Sequence, residues 1–196
     1  MKKELGVKPY LFPMPVLMIA TYGEDGAVDV MNMAWGGICG ENMVSLNIEE
    51  EHKTSENIKK RGAFTLSVAD IPHLEAADFF GIASGNQMAG KFERSGLTAV
   101  KSGKVDAPVV QEFPLTLECK VVVDRMEVYG HHVIGEIVGI LADEAVLDER
   151  GRVDPVKLNA FAFDPFQNGY YAIGEKVGQA WHAGVPLMKK EPGKTE

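Results

Sequence analysis

Leu115-Thr116-Leu117-Glu118-Cys119-Lys120-Val121-Val122-Val123-Asp124 places an apolar residue at every second position, opposite a row of Thr116, Glu118, Lys120, Val122 and Asp124. Period two is the side-chain spacing of a strand with one face on a core and the other in water. Tyr129-Gly130 offers a turn, and His132-Val133-Ile134-Gly135-Glu136-Ile137-Val138-Gly139-Ile140 follows as the antiparallel partner. The two glycines in that run mark a bend or a close backbone approach.

The same period recurs on both sides. Met43–Ile48 and Ala63–Val68 each read as a half-buried strand, and Ala160–Phe163 as a short one. Val16–Thr21 and the run from Val28 to Trp35 form a hairpin through Tyr22-Gly23-Glu24-Asp25-Gly26. Two helices are expected among them. The first, over residues 55 to 61, has Thr54 or Ser55 as cap and Gly62 as stop. The second, over residues 70 to 81, has Asp70 as cap, Pro72 near its start, and Leu74, Ala77 and Phe79 or Phe80 facing inward. Several strands with few helices predict a mainly β chain with peripheral helices, a barrel more than a layered α/β sheet. Residues 95–108 are a connection, and Tyr170-Tyr171 an aromatic patch.

The chain has 196 residues, 45% of them hydrophobic and 24% charged, which suits one soluble globular domain over 1–196. Its folded part is expected from about 13 to 174, with a loose tail from about 185. A net charge of -8 excludes nucleic acid and anionic membrane as main partners, so any phosphate site is local. No signal peptide or membrane span is readable, and a cytoplasmic location is expected. Cys39 and Cys119 stand far apart without metal spacing and read as packing residues. His131 and His132 would face opposite ways in a strand, a poor chelate, and no metal site or Ser-His-Asp set is readable. Asp78 and Glu75 read as solvated helix residues.

Two segments carry candidate chemistry. Asp29-Val30-Met31-Asn32-Met33-Ala34-Trp35-Gly36-Gly37 has the length of a strand and ends in small residues, so its backbone can lie against a flat ring. His52-Lys53-Thr54-Ser55-Glu56-Asn57-Ile58 puts a cation and two hydroxyls at a helix start, where free N–H groups and the helix dipole attract anions; the same hydroxyls also serve as plain caps. No GxGxxG lies between the strands. Gly85-Asn86-Gln87-Met88-Ala89-Gly90-Lys91 begins like a P-loop, but a helix precedes it and Phe92 replaces the magnesium-binding hydroxyl. What remains is a flexible loop bearing Ser84, Lys91 and Phe92.

In sequence order, Pro15-Val16, Asn32-Met33-Ala34-Trp35, Lys53-Thr54-Ser55-Glu56-Asn57-Ile58, Ser84 to Phe92 and His132 with Ile134-Gly135-Glu136 resemble the flavin reductase-like, FMN-binding split-barrel family, within it the flavoredoxin branch. The resemblance covers about Pro13 to Gly174. It implies a six-stranded Greek-key antiparallel barrel, a homodimer and bound FMN. Asn32, Met33, Ala34 and Trp35 would face the isoalloxazine, Lys53, Thr54 and Ser55 the phosphate, Ser84 and Lys91 would supplement it, and His132 would act near the ring. Where some relatives carry arginine near the phosphate turn, Lys53 offers a point charge without the bidentate fork. The implied activity passes electrons from NAD(P)H or another reduced donor through FMN to flavin, a protein or a small acceptor. The alternatives are a flavin-holding electron carrier or storage module, and a pyridoxamine-phosphate oxidase relative, for which basic residues are few.

Overall fold

The computed structural model describes residues 1–188, so most of the expected loose tail lies outside the described residues. Seven segments form one antiparallel sheet: β1 (Leu17–Tyr22), β2 (Val28–Met33), β3 (Gly36–Gly40), β4 (Met43–Ile48), β5 (Ala63–Val68), β8 (Leu115–Glu127) and β9 (Gly130–Ala142). The hairpin of β6 (Ala99–Lys101) and β7 (Pro108–Val110) and that of β10 (Phe161–Asp164) and β11 (Gly169–Ala172) stand apart from it.

The order across the sheet is β2-β1-β5-β8-β9-β4-β3. Only Ala34 and Trp35 separate β2 from β3, yet β2 pairs with β1 at one edge and β3 with β4 at the other. One bent strand over 28–40 therefore serves both edges, which curls the sheet into a six-stranded split barrel without free long edges. At the bend, Asn47 N–H donates to Trp35 C=O at 2.9 Å.

Alternate residues fill the barrel: Leu17, Ile19, Met31, Met33, Leu46, Phe64, Leu66, Cys119 and Val133 are buried together. The outer face of β1 and β2 is covered as well, since Val16, Met18, Ala20 and Val30 pack with Ala77, Phe80, Phe92 and Phe161. That double burial explains why Leu17-Met18-Ile19-Ala20 is a continuous apolar run. It also corrects the reading of β8 as wet along one whole face: Glu118 is buried, with Ser102 Oγ donating to it at 2.5 Å, and exposure begins at Lys120.

Both glycines of β9 mark close approaches. A Cβ at Gly135 would lie 2.5 Å from the Phe64 ring, and one at Gly139 would collide with the Glu118 carboxylate.

Helix α1 (Lys53–Arg61) starts earlier than its hydroxyls suggest, because Thr54 and Ser55 spend their side chains on tertiary partners and His52 holds the N-cap without a side-chain bond. Gly62 closes it in the left-handed conformation, its N–H on Ile58 C=O. Ile58 joins the barrel core. A turn of 3₁₀ helix, Ile71–His73, leads into α2 (Leu74–Ile82), which buries Ala77 and Phe80. The described residues add two single-turn helices, α3 (Lys91–Arg94) and α4 (Val185–Met188), and a second 3₁₀ turn, Glu144–Val146. Among the described residues no helix is long and apolar enough to cross a membrane.

Candidate flavin site

Three joined clefts follow the inner side of α1 and the end of β2. A cleft of about 410 Å³ is lined by Asn32, Lys53, Thr54, Ser84, Gly85 and Lys91 among others. Through Asn32, Gly81 and Ile82 it meets a smaller, mostly apolar cleft of about 210 Å³ that includes Met33, Ala34, Trp35, Phe163 and Tyr170. On its other side it shares Asp29, Lys53, Gly85 and Lys91 with a lobe of about 730 Å³. The trough is thus apolar and aromatic at one end and polar in the middle.

The polar middle is set by α1. No side chain caps the start of this helix, and Ser55 and Glu56 N–H bond back to His52 C=O at 3.0 and 3.3 Å, which leaves the Lys53 and Thr54 amides for an anion. Lys53 Nζ lies 3.0 Å from Glu56 Oε2 and is partly exposed. Thr54 Oγ1 donates to Asp29 Oδ2 at 3.0 Å, and Lys91 Nζ lies 3.5 Å from Asp29 Oδ1. Lys91 is nearly buried, 5.9 Å from the centre of the Phe80 ring, and desolvation lowers its pKa despite Asp29. Asp29 is thus an internal counter-ion at the heart of the site. Its place at the start of β2 gave no sign of this.

The loop from Ser84 is folded rather than free. Gln87 and Met88 N–H groups bond to Ser84 C=O, and Asn86 Nδ2 donates to Glu51 C=O at 2.7 Å, drawing the loop over the start of α1. A Cβ at Gly85 would collide with Asp29 Oδ1 and meet Lys53 Cβ at 3.1 Å, so only glycine lets this backbone line the cleft. Phe92 does not reach the site. It stacks on Phe80 in the outer core, ring centroids 6.1 Å apart.

At the apolar end, Asn32 Nδ2 donates to Ala77 C=O at 2.9 Å, which fixes the strand end against α2. Met33 and Ala34 are buried, whereas Trp35 is 52% exposed. Tyr170 donates its hydroxyl to Asp78 at 2.9 Å, so Asp78 is a buttress of the cleft rather than a solvated helix residue. Burial and that carboxylate push the Tyr170 phenol up to about 12.

Of the residues singled out, Asn32, Met33, Ala34, Trp35, Lys53, Thr54, Ser84 and Lys91 all line the joined clefts. Ser55 and His132 stand elsewhere. Ser55 is fully buried, its Oγ 2.5 Å from His131 Nδ1, and His131 Nε2 lies 2.7 Å from Asp124 Oδ1. This is a Ser-His-Asp line that residues so distant in sequence did not reveal. Buried as it is, it fastens α1 to the β8–β9 hairpin and offers no nucleophile to a substrate. His132, on the opposite face of β9, pairs with Asn47 Oδ1 at 2.9 Å and lines none of the three clefts.

This geometry fits a planar group carrying a phosphate: amides and hydroxyls at an uncapped helix, a glycine-lined floor, and an aromatic slot beyond. Comparison with known proteins agrees with it. The flavin reductase-like domain family matches residues 10–157. Flavoredoxin of Desulfovibrio vulgaris (Miyazaki F) superposes with a TM-score of 0.88 at 35% identity, covering 94% of this chain and 100% of that one. Flavoredoxin from Methanosarcina acetivorans has the same fold, with a TM-score of 0.87 at 23% identity over 95% of this chain and 100% of that one. An uncharacterised protein of Pyrococcus abyssi is 28% identical over 171 residues, 82% of this chain and 95% of its own. The chain belongs to the flavin reductase-like family, in its flavoredoxin branch.

Proposed function

We propose that the protein is an FMN-binding oxidoreductase that takes electrons from NAD(P)H or another reduced donor and passes them to flavin, a protein or a small acceptor. The observation that carries this reading is the continuity of the aromatic cleft beside Trp35 and Tyr170 with the phosphate-type cleft at α1. When bound, the flavin supplies the redox chemistry; the chain supplies position and charge.

Lys53, Thr54, Lys91 and the first amides of α1 hold the phosphate, and Ser84 supplements them. The backbone from Asn32 to Trp35 lies along the ring edge, whose donors and acceptors need partners once out of water. Tyr170, kept protonated at working pH, presents a neutral hydroxyl held by Asp78. Ser55 acts one step back, holding α1 in place through His131, and His132 is assigned to the barrel surface.

A second reading, an electron carrier without its own nucleotide site, is favoured by the exposure of Trp35 at the mouth of the cleft, where a protein partner can approach. One experiment separates the two. The purified protein is expected to release FMN, identified by mass, and its absorbance near 450 nm, roughly where oxidised flavin absorbs, to bleach within seconds on adding NADH or NADPH. A yellow protein inert to both nucleotides establishes the carrier; a protein that neither contains nor takes up flavin overturns both readings.

A further inference from the structure

Helix α2 turns one face to the aromatic cleft, where Asp78, Gly81 and Ile82 line it at positions i, i+3 and i+4. Gly81 lets the helix come close to β2, since a Cβ there would stand 3.4 Å from Asn32 Cβ. Asp78 is thereby brought to the cleft of Met33, Ala34, Trp35 and Phe163, and among the described residues that line this cleft it is the one that carries a charge. Its Oδ1 accepts the Tyr170 hydroxyl at 2.9 Å. Lys53 and Lys91 line the next cleft, and each already faces a carboxylate, Glu56 at 3.0 Å and Asp29 at 3.5 Å. The charge at the aromatic end is left to Asp78.

We propose that Asp78 tunes the bound flavin, holding its reduction potential lower than the same cleft would without that carboxylate. The inference rests on the flavin reading above and assigns a residue to the electron transfer itself. Two electrons from the reduced donor and one proton from water leave a negative charge on the ring; a second proton would cancel it. A carboxylate fixed in the same cleft raises the energy of the charged product and leaves the neutral oxidised ring nearly unaffected. Apolar walls sharpen the effect, because a low dielectric screens charges poorly. Tyr170 does not relieve it, since its proton is given to Asp78 and its oxygen can then only accept. The flavin is thus kept ready to give its electrons up.

The test is titration of the flavin-free full-length chain with oxidised FMN in air and with dithionite-reduced FMN under nitrogen, for the parent, Asp78→Asn and Tyr170→Phe. The ratio of the two dissociation constants fixes the potential of the bound flavin relative to the free one, so it reads the charge without any turnover. Asn keeps the shape of the side chain and an acceptor for Tyr170 but drops the charge. In Asp78→Asn the reduced form is expected to gain on the oxidised form by about tenfold, which raises the potential of a two-electron couple by about 30 mV. Tyr170→Phe breaks the same contact and keeps the carboxylate, so its ratio is expected to show no such gain. An unchanged ratio in Asp78→Asn overturns the proposal, as does an equal gain in Tyr170→Phe, which traces the effect to loss of the contact. If Asp78→Asn binds neither form, Asp78→Ser is read by the same ratio, and loss of binding in both overturns the proposal by making Asp78 a structural residue. Those results leave flavin binding by the parent standing, whereas a parent that binds neither form removes the flavin reading and this inference with it.

Discussion

At position 29 a carboxylate occupies two of the donors that a phosphate would use, Thr54 Oγ1 and Lys91 Nζ. Replacing it by Asn is expected to strand Lys91 as a buried, uncompensated charge and lower the melting temperature of the flavin-free protein, since breaking such a pair costs about 3–5 kcal/mol. Added FMN restores a counter-charge, so its stabilising shift is expected to be larger in Asp29→Asn than in the parent; an equal or smaller shift in a thermal melt contradicts the role given to Asp29. Removing the donors acts oppositely. Lys53→Ala with Thr54→Ala deletes two bonds to an anion, each worth about 1.5–3 kcal/mol, and is expected to raise the Kd for FMN by roughly 100-fold or more with an unchanged circular dichroism spectrum. His132→Asn, outside the clefts, is expected to leave FMN affinity as it was. Cys119 shows the same logic in the core, where burial and then Glu118 raise its thiol from the ordinary 9.0 to about 12. A group whose pKa is raised by folding stabilises the fold below its unfolded value, and that share is lost as pH climbs from about 9 to 12. Cys119→Ala, though less stable at neutral pH, is expected to lose stability less steeply across that alkaline window.

Among the elements, those with a clean period are legible in the sequence. Met43–Ile48 and Ala63–Val68 are strands at those bounds, and the pair β8–β9 forms as its alternation and turn require. The strand over Gly36–Gly40 is not legible, because Gly36-Gly37-Ile38-Cys39-Gly40 carries no alternation and only the edge of β4 makes it a strand. Residues 95–108 hide β6 and the start of β7 for a similar reason, β6 pairing with β7 and β7 resting on β1 and β5. At the site, the hydroxyls of α1 are visible as polar residues at a helix start, but not which way each turns. Thr54 faces Asp29, whereas Ser55 faces His131, 76 positions away, and no local pattern carries that information. Close packing between elements gives a sharp test. Gly135→Ala sets a methyl 2.5 Å from the Phe64 ring and 3.1 Å from Cys119 Cβ, inside a full barrel. Overpacking of this kind costs about 1–3 kcal/mol, a drop of roughly 2–12 °C in Tm for a chain of this size. Phe64→Leu in the same chain is expected to recover part of it; a double variant no more stable than Gly135→Ala shows that the strain lies in the backbone.

The molecule as a whole leaves one side of its trough uncovered. Trp35 is 52% and Ile38 68% exposed, and with Leu11, Pro13, Ala34 and Gly37 they line a cleft of about 390 Å³ at the bend between β2 and β3. Phe12 continues the patch, its ring edge against Tyr171 at 5.7 Å, with Ile173 exposed nearby in sequence. A contiguous apolar surface of this kind calls for a cover. The second copy implied by the family resemblance would supply it, closing the aromatic end of the trough while the phosphate end stays within one chain. Ile38→Glu tests this arrangement, because a carboxylate buried without a partner is costly whereas the same residue facing water is not. Light scattering is expected to give a dimer for the parent and a monomer for Ile38→Glu, with the monomer's far-ultraviolet spectrum unchanged. FMN affinity is then expected to fall in the variant, since the ring would lose the second wall of its cleft while Lys53, Thr54 and Lys91 still hold the phosphate. A parent that is monomeric, or a monomeric variant that binds FMN as tightly as the parent, would show that one barrel alone completes the site.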